Sequence, residues 1–183
     1  MEVKHWLHPA IKIPIDQETV HGTIQVFTDG SKMDQGVGAG IAVYRSGTHT
    51  KSLKYTLNYK CTNNQAEQLA ILKSLEHIGT MQTYDRTATI CTDSRTTLDS
   101  LLNNNIHTYL IDKIRRKVRE LTQTDWKIPI FWVKAHAGLQ GNELADTLAK
   151  TAAMDLDIPE CFNRIPKSVL KTDLEAQSID KWQ

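Results

Sequence analysis

TIQVFTDGS, residues 23–31, alternates apolar and polar side chains as far as Thr28 and then breaks at Asp29, Gly30 and Ser31. That pattern predicts a half-buried strand running into a turn. Working outward, Gly36 to Tyr44 is rich in glycine and small apolar residues, and Thr50 to Leu57 alternates again. The two segments read as the second and third strands of an antiparallel meander, with a hairpin near Ser46 and Gly47. Beyond them the period changes. Thr62 or Asn63 can cap a helix whose apolar positions Ala66, Leu69, Ala70, Leu72 and Ile78 recur mainly every three or four residues. Thr87 to Thr92 reads as a short buried strand, and a second helix starting at Ser94 carries Leu98, Leu101 and Leu102 before stopping at Asn103 to Asn105. Tyr109 to Leu121 predicts a third helix with Leu110, Ile114, Val118 and Leu121 inward, Trp126 to Lys134 a fifth strand with Pro129 near its start, and Gly141 to Met154 a last helix. A meander followed by helices alternating with strands is an α/β layer structure in which the later strands run parallel.

With 183 residues, 40% of them hydrophobic, the chain can bury one core of ordinary size and leave terminal extensions. The expected division is an N-terminal extension over 1–22, a main domain over 23–154, and a linker with a C-terminal helix over 155–183. Ile158 to Pro166 holds two prolines, and Leu170 and Leu174 follow four apart, as in a docking helix. No apolar run approaches the roughly 20 residues of a membrane span, and Met1 to Val20 lacks the pattern of a secretory signal, so an intracellular protein, nuclear or cytoplasmic, without a membrane partner is expected. Cys61, Cys91 and Cys161 are odd in number and form no CxxC pair, which makes them free thiols. The formal charge is +1, so attraction to phosphate must come from local patches. The densest is Lys113, Arg115, Arg116, Lys117 and Arg119, which is either a nucleic-acid contact or a solvated helix face.

Four acids fall on four separate elements: Asp29 at a strand end, Glu67 in the first turns of a helix, Asp93 after the fourth strand and Asp146 in the last helix. Adjacent parallel strands bring their carboxyl ends together, which sets Asp29 beside Asp93 with Glu67 opposite. Such a cluster repels itself unless cations neutralise it. Oxygen-only ligands favour a hard ion, and two Mg²⁺ about 3.5 to 4 Å apart can activate water and stabilise the leaving oxygen of a phosphodiester. Taken singly, each acid has a blander reading: a turn residue for Asp29, a solvated helix acid for Glu67, a helix cap for Asp93 and a surface charge for Asp146.

The strings FTDGSK from Phe27, TNNQAE from Thr62, TDSRTTL from Thr92 and WVKAHAGLQGNELADTLAK from Trp132 occur in this order, and through them the chain resembles the type 1 ribonuclease H family. The resemblance covers about Thr23 to Ala153. It implies an α/β ribonuclease H-like fold, a five-stranded mixed sheet flanked by helices on both faces. It also implies endonucleolytic hydrolysis of the RNA strand of an RNA–DNA hybrid, with Asp29, Glu67, Asp93 and Asp146 binding two Mg²⁺ ions, or Mn²⁺ in their place. His136, in the glycine-containing loop Ala135 to Gly141, matches the family's flexible histidine, and its ordinary pKa of about 6.5 suits proton traffic near neutrality.

A nuclease for the RNA of a hybrid needs groups that recognise the 2′-hydroxyl. Asn63 and Asn64 match the family's minor-groove amides, although Asn63 also reads as a cap, and Gln35 stands where relatives often carry an asparagine. Thr62 matches a residue that holds a phosphate of the DNA strand, and Lys60 replaces a common arginine, offering a point charge instead of a bidentate fork. The chain departs from cellular relatives after the third acid. Between Ser94 and Thr108 there is no aromatic residue and Arg95 is the lone lysine or arginine, where those relatives have a basic protrusion and aromatics. Ile158 to Gln183 further resembles the segment after this domain in non-LTR retrotransposon polyproteins, which implies a reverse transcriptase as partner. The competing readings are an integrase or resolvase with the same sheet, against which TNNQAE argues, and a catalytically silent binding module, against which the complete set of acids argues.

Overall fold

β1 (Ile24–Lys32) is the strand on which the sheet is built in the computed structural model, which describes residues 23–180. The expected extension over 1–22 lies outside the described residues. β1 pairs antiparallel with β2 (Val37–Arg45), and β2 antiparallel with β3 (Thr48–Leu57), giving the meander. On its other side β1 pairs in parallel with β4 (Ala88–Thr92), and β4 in parallel with β5 (Ile130–Trp132). A sixth strand, β6 (Glu160–Phe162), adds in parallel to β3, so the order is β5-β4-β1-β2-β3-β6.

The helices are α1 (Asn63–Gly79), α2 (Arg95–Leu102), α3 (Tyr109–Gln123), α4 (Gln140–Met154) and α5 (Lys167–Asp180). Strand period decides which face each helix covers. Ile24 and Val26 of β1 join the larger apolar cluster with Leu69, Leu75, Ile111 and Val118 of α1 and α3. Phe27, one step out of phase, joins Ala42, Tyr44, Val133 and Ala145 on the α4 side. Helices therefore flank both faces, as the resemblance implies. The glycines of β2 explain how close α4 comes: a methyl group on Gly38 or Gly40 would overlap the backbone of α4 at Ala149 or Ala145.

Four departures from the sequence reading have simple causes. The first strand is expected to break into a turn at Asp29, Gly30 and Ser31 but runs on to Lys32, because these residues pair with Gly40, Ala39 and Gly38 of β2. The fifth strand is expected over Trp126 to Lys134 but is only three residues long. Pro129, which has no N–H, interrupts the ladder while its carbonyl still accepts from Ile90 N at 3.0 Å. The sheet has six strands instead of five because β6, inside the segment read as linker, is too short to show alternation. In the basic cluster, Arg115 turns inward, its guanidinium donating to the carbonyls of Ser100, Leu101, Asn103 and Ile106, and Lys117 pairs with Glu120 at 3.2 Å. Arg115 is thus spent on tying the α2–α3 connection. Cys61 and Cys91 are buried free thiols and Cys161 an exposed one. Among the described residues no helix is long and apolar enough to cross a membrane.

Candidate active site

Register alone brings two of the acids together. Thr28 of β1 is paired with Thr92 of β4, so Asp29, still within β1, and Asp93, just past the end of β4, come together at the carboxyl end of this parallel pair. Glu67 arrives from α1. A side chain at Gly30 would collide with the backbone of Ala66 and Glu67, so glycine there lets the first turns of α1 press against the end of β1. One ligand oxygen from each of Asp29, Glu67 and Asp93 lies within 4.8 Å of the others.

Packing holds these carboxyls in an environment hostile to charge. Asp29 and Glu67 are each only 7% exposed. Burial first, and the Asp93 charge second, push the Asp29 carboxyl up to about 7, even though the Gly30 amide donates to its Oδ1 at 2.7 Å. Burial, then the charges of Asp29 and Asp93, push Glu67 up to about 10. The oxygen Glu67 Oε2 is buried and has no hydrogen-bond partner. Three carboxyls turned on one point, two of them desolvated and one with an orphaned oxygen, fit the hard-cation ligand set read from the sequence. Asp93 is fixed by neighbours: Trp132 Nε1 donates to its carbonyl at 3.1 Å and Asn142 Nδ2 to its Oδ2 at 3.2 Å.

Asp146 stands outside this triad. Its Oδ2 accepts from Lys150 Nζ at 2.8 Å, although its charge still contributes to raising Asp29. His136 is exposed, in the loop between β5 and α4, with a left-handed φ of 51° beside Gly138 at 76°. Neither Asp146 nor His136 is part of the buried cluster. The predicted hybrid contacts divide in the same way. Thr62 is the N-cap of α1, its side chain accepting from Gln65 N at 3.2 Å, so Asn63 is not the cap and stays exposed in the first turn. Asn64 is half-buried and its Oδ1 accepts from Thr97 Oγ1 at 3.2 Å, which orients its amide against α2. Lys60 is half-buried, its ammonium 5.8 Å from the centre of the Tyr59 ring. Gln35 is exposed in the β1–β2 turn, at the same end of β1 as Asp29. Lys32 Nζ links that end of β1 to the loop before α1 by donating to Cys61 O at 2.8 Å.

Sequence reasoning missed Asn142. It is 3% exposed, touches Asp93 and leaves its own Oδ1 without a partner. The signal was present, since it lies four residues before Asp146 and so on the same face of α4.

Similarity to known proteins bears on the family and the fold. The RNase H family model matches residues 21–154. Ribonuclease HI of Neisseria meningitidis serogroup A is 30% identical over 144 residues, 72% of this chain and 95% of that protein. Ribonuclease H of Proteus mirabilis is 32% identical over 147 residues, 73% of this chain and 89% of that protein. Among solved structures, RNase H1 of Halobacterium salinarum superposes with a TM-score of 0.55 at 23% identity, covering 72% of this chain and 97% of its own. The N-terminal RNase H domain from Mycobacterium tuberculosis does so with a TM-score of 0.57 at 21% identity, covering 72% and 98%. At those identities the structures bear on the fold, whereas the family match spans most of the sequence and contains all four acids. The chain that carries this carboxylate triad belongs to the RNase H family.

Proposed function

We propose that the protein is a magnesium-dependent endoribonuclease that hydrolyses the RNA strand of RNA–DNA hybrids. The observation that carries this reading is the cluster of Asp29, Glu67 and Asp93 within 4.8 Å, with Asp29 and Glu67 buried and Asp93 half-buried. In the proposal these three and Asp146 hold two Mg²⁺, for which Mn²⁺ can substitute. Such a pair of ions supplies a water of lowered pKa and stabilises the leaving 3′-oxygen of the phosphodiester. The remaining roles belong to the chain's own rim. Asn63 and Asn64 recognise the 2′-hydroxyl across the minor groove, together with Gln35 of the β1–β2 turn. Lys60 and Thr62 receive a phosphate of the DNA strand. His136 protonates the leaving oxygen, directly or through water, and helps product depart.

We further propose that the chain is the ribonuclease H module of a retroelement, acting inside the cell, nuclear or cytoplasmic. There it removes template RNA beside the reverse transcriptase part of the same polyprotein. Two features support this: the likeness of 158–183 to the segment following the domain in non-LTR polyproteins, and the bare stretch from Ser94 to Thr108. Without a protrusion, a neighbouring polymerase is the natural holder of the hybrid.

The test is to present matched RNA–DNA hybrid, duplex RNA and duplex DNA to the full chain in Mg²⁺ and in EDTA. Cleavage of the RNA strand of the hybrid alone, and only with metal, is expected. Cutting of duplex DNA would replace this reading with an integrase-like one.

A further inference from the structure

Four of the five residues proposed to recognise the hybrid, Lys60, Thr62, Asn63 and Asn64, lie between Asn58 and Gln65, and both of those residues are tied to one short segment after the family-matched region. At the first end, Asn58 N donates to Phe162 O at 2.8 Å and Asn58 Nδ2 to Glu160 Oε2 at 3.1 Å. Asn58 also shapes the loop that follows, accepting from Lys60 N through Oδ1 at 3.1 Å and from Cys61 N through its carbonyl at 2.8 Å. At the second end, the Gln65 amide uses both of its poles. Oε1 accepts from Thr62 N at 3.0 Å, closing the capping box, and Nε2 donates to Arg164 O at 2.8 Å. The segment is itself held down. Glu160–Phe162 pairs with β3, the Arg164 guanidinium lies 3.8 Å from the centre of the Tyr109 ring, and that ring packs on Phe162 with centroids 6.1 Å apart.

We propose that Glu160–Arg164 is a positioning clasp for the hybrid-binding loop, so that recognition by residues 60–64 depends on chain that lies beyond residue 154. This rests on the reading of that loop as the hybrid contact. The clasp also accounts for Tyr109, the aromatic nearest the missing protrusion: Arg164 covers one face of its ring, so in this chain the ring buttresses the clasp. Gln65 acts on the loop through Thr62, and Tyr109 through Phe162 and Arg164, so both are positioning residues.

Gln65→Glu separates the two duties of Gln65, because glutamate still closes a capping box but offers Arg164 O no donor. Tyr109→Leu removes the buttress from the other side without changing charge, and Tyr109→Phe restores it. In the full chain, both Gln65→Glu and Tyr109→Leu should raise the KM for hybrid roughly five- to tenfold, the scale of one lost hydrogen bond, with kcat within about twofold of the parent. Tyr109→Phe should behave as the parent. The double variant should fall short of the product of the two single effects, since both release the same element. Hydrogen exchange supplies a readout independent of substrate: the amides of Lys60 and Cys61 should exchange on the order of tenfold faster in both single variants. Unchanged exchange would overturn the clasp. Faster exchange with unchanged KM would overturn its role in recognition, and Asn63→Ala with Asn64→Ala then locates the fault. If that variant also cuts at the parent rate, the loop is not the hybrid contact; if it is impaired, the loop binds hybrid without needing the clasp.

Discussion

The floor and the rim of this site are built by opposite means. On the floor, Asp29 and Glu67 are packed between β1 and α1 and barely exposed, so their positions are dictated by strand register and by the absence of a side chain at Gly30. On the proposed rim, Gln35, Asn63 and His136 are exposed on a turn, a helix start and a loop. Stability and function are set against each other on the floor. Burying carboxyls that repel one another costs the fold stability until a cation arrives, whereas an exposed amide or imidazole costs almost nothing to keep and almost nothing to lose.

The comparison breaks first at Asp29 or Asp93. Asp29→Asn or Asp93→Asn removes a negative ligand while keeping the shape of the side chain, so hydrolysis of hybrid should fall below detection in Mg²⁺. EDTA should do the same to the parent. Melting curves should show both variants folded. Near-parent turnover by a folded Asp29→Asn protein would exclude the triad as the reactive centre.

His136 probes the rim at the next scale down. General acid assistance is typically worth about 10² to 10⁴-fold, so His136→Ala should slow the reaction by that order yet leave measurable activity, with its Mg²⁺ dependence hardly altered. Single-turnover and steady-state rates, compared with those of Asp29→Asn at several Mg²⁺ concentrations, decide the matter. Parent-like rates in both regimes would remove His136 from the mechanism. A smaller loss, roughly ten- to a hundredfold for two hydrogen bonds, is expected in hybrid cleavage for Asn63→Ala combined with Asn64→Ala. Because Thr62 and not Asn63 caps α1, the melting temperature should move only slightly. A variant that loses stability but keeps its rate would return both asparagines to a structural role.

What was legible in the sequence follows the same division. Part of the floor could be read because its geometry is local or periodic: the run into Asp93 and the cap at Thr62 sit where the string places them, whereas the break in alternation after Thr28 is no strand end, since pairing with β2 carries β1 on to Lys32. Asn142 and β6 could not be read with the same ease. Asn142 matters through one contact to Asp93, forty-nine residues away in the chain, and β6 is three residues that become a strand only by pairing with β3. The inward turn of Arg115 was hidden for a related reason, since a helix pattern shows charge but not which carbonyls an arginine can reach. The family resemblance named the acids, but only the fold shows that Asp146 is paired with Lys150 and set apart from the other three.

The smallest effect expected is thermal, and it sharpens the contrast most directly. Folding raises the Asp29 carboxyl from an ordinary 3.8 to about 7 and Glu67 from 4.5 to about 10, burial being the main cause for both. A group whose pKa is higher in the folded state binds its proton more tightly there. Its contribution to stability is complete below its unfolded value and is lost as pH rises through the folded one. In EDTA, therefore, the melting temperature should decline from about pH 4 through pH 7, Asp29 giving up its proton in that window, with Glu67 extending the decline above it. The total should be several degrees, since about 1 kcal/mol shifts the midpoint of a domain of this size by roughly 2 to 4 °C. Saturating Mg²⁺ should abolish most of the slope near neutrality, because the ions then neutralise the charges that burial penalises. Asp29→Asn should flatten the curve as well and melt above the parent in EDTA at pH 8, making the inactive variant the more stable protein. No rim residue should behave this way: His136→Ala and the double asparagine variant should keep the parent's pH slope. An apoprotein whose melting temperature is level from pH 4 to pH 8 would mean that the floor carboxyls are not desolvated in solution, and the distinction between floor and rim would fall with it.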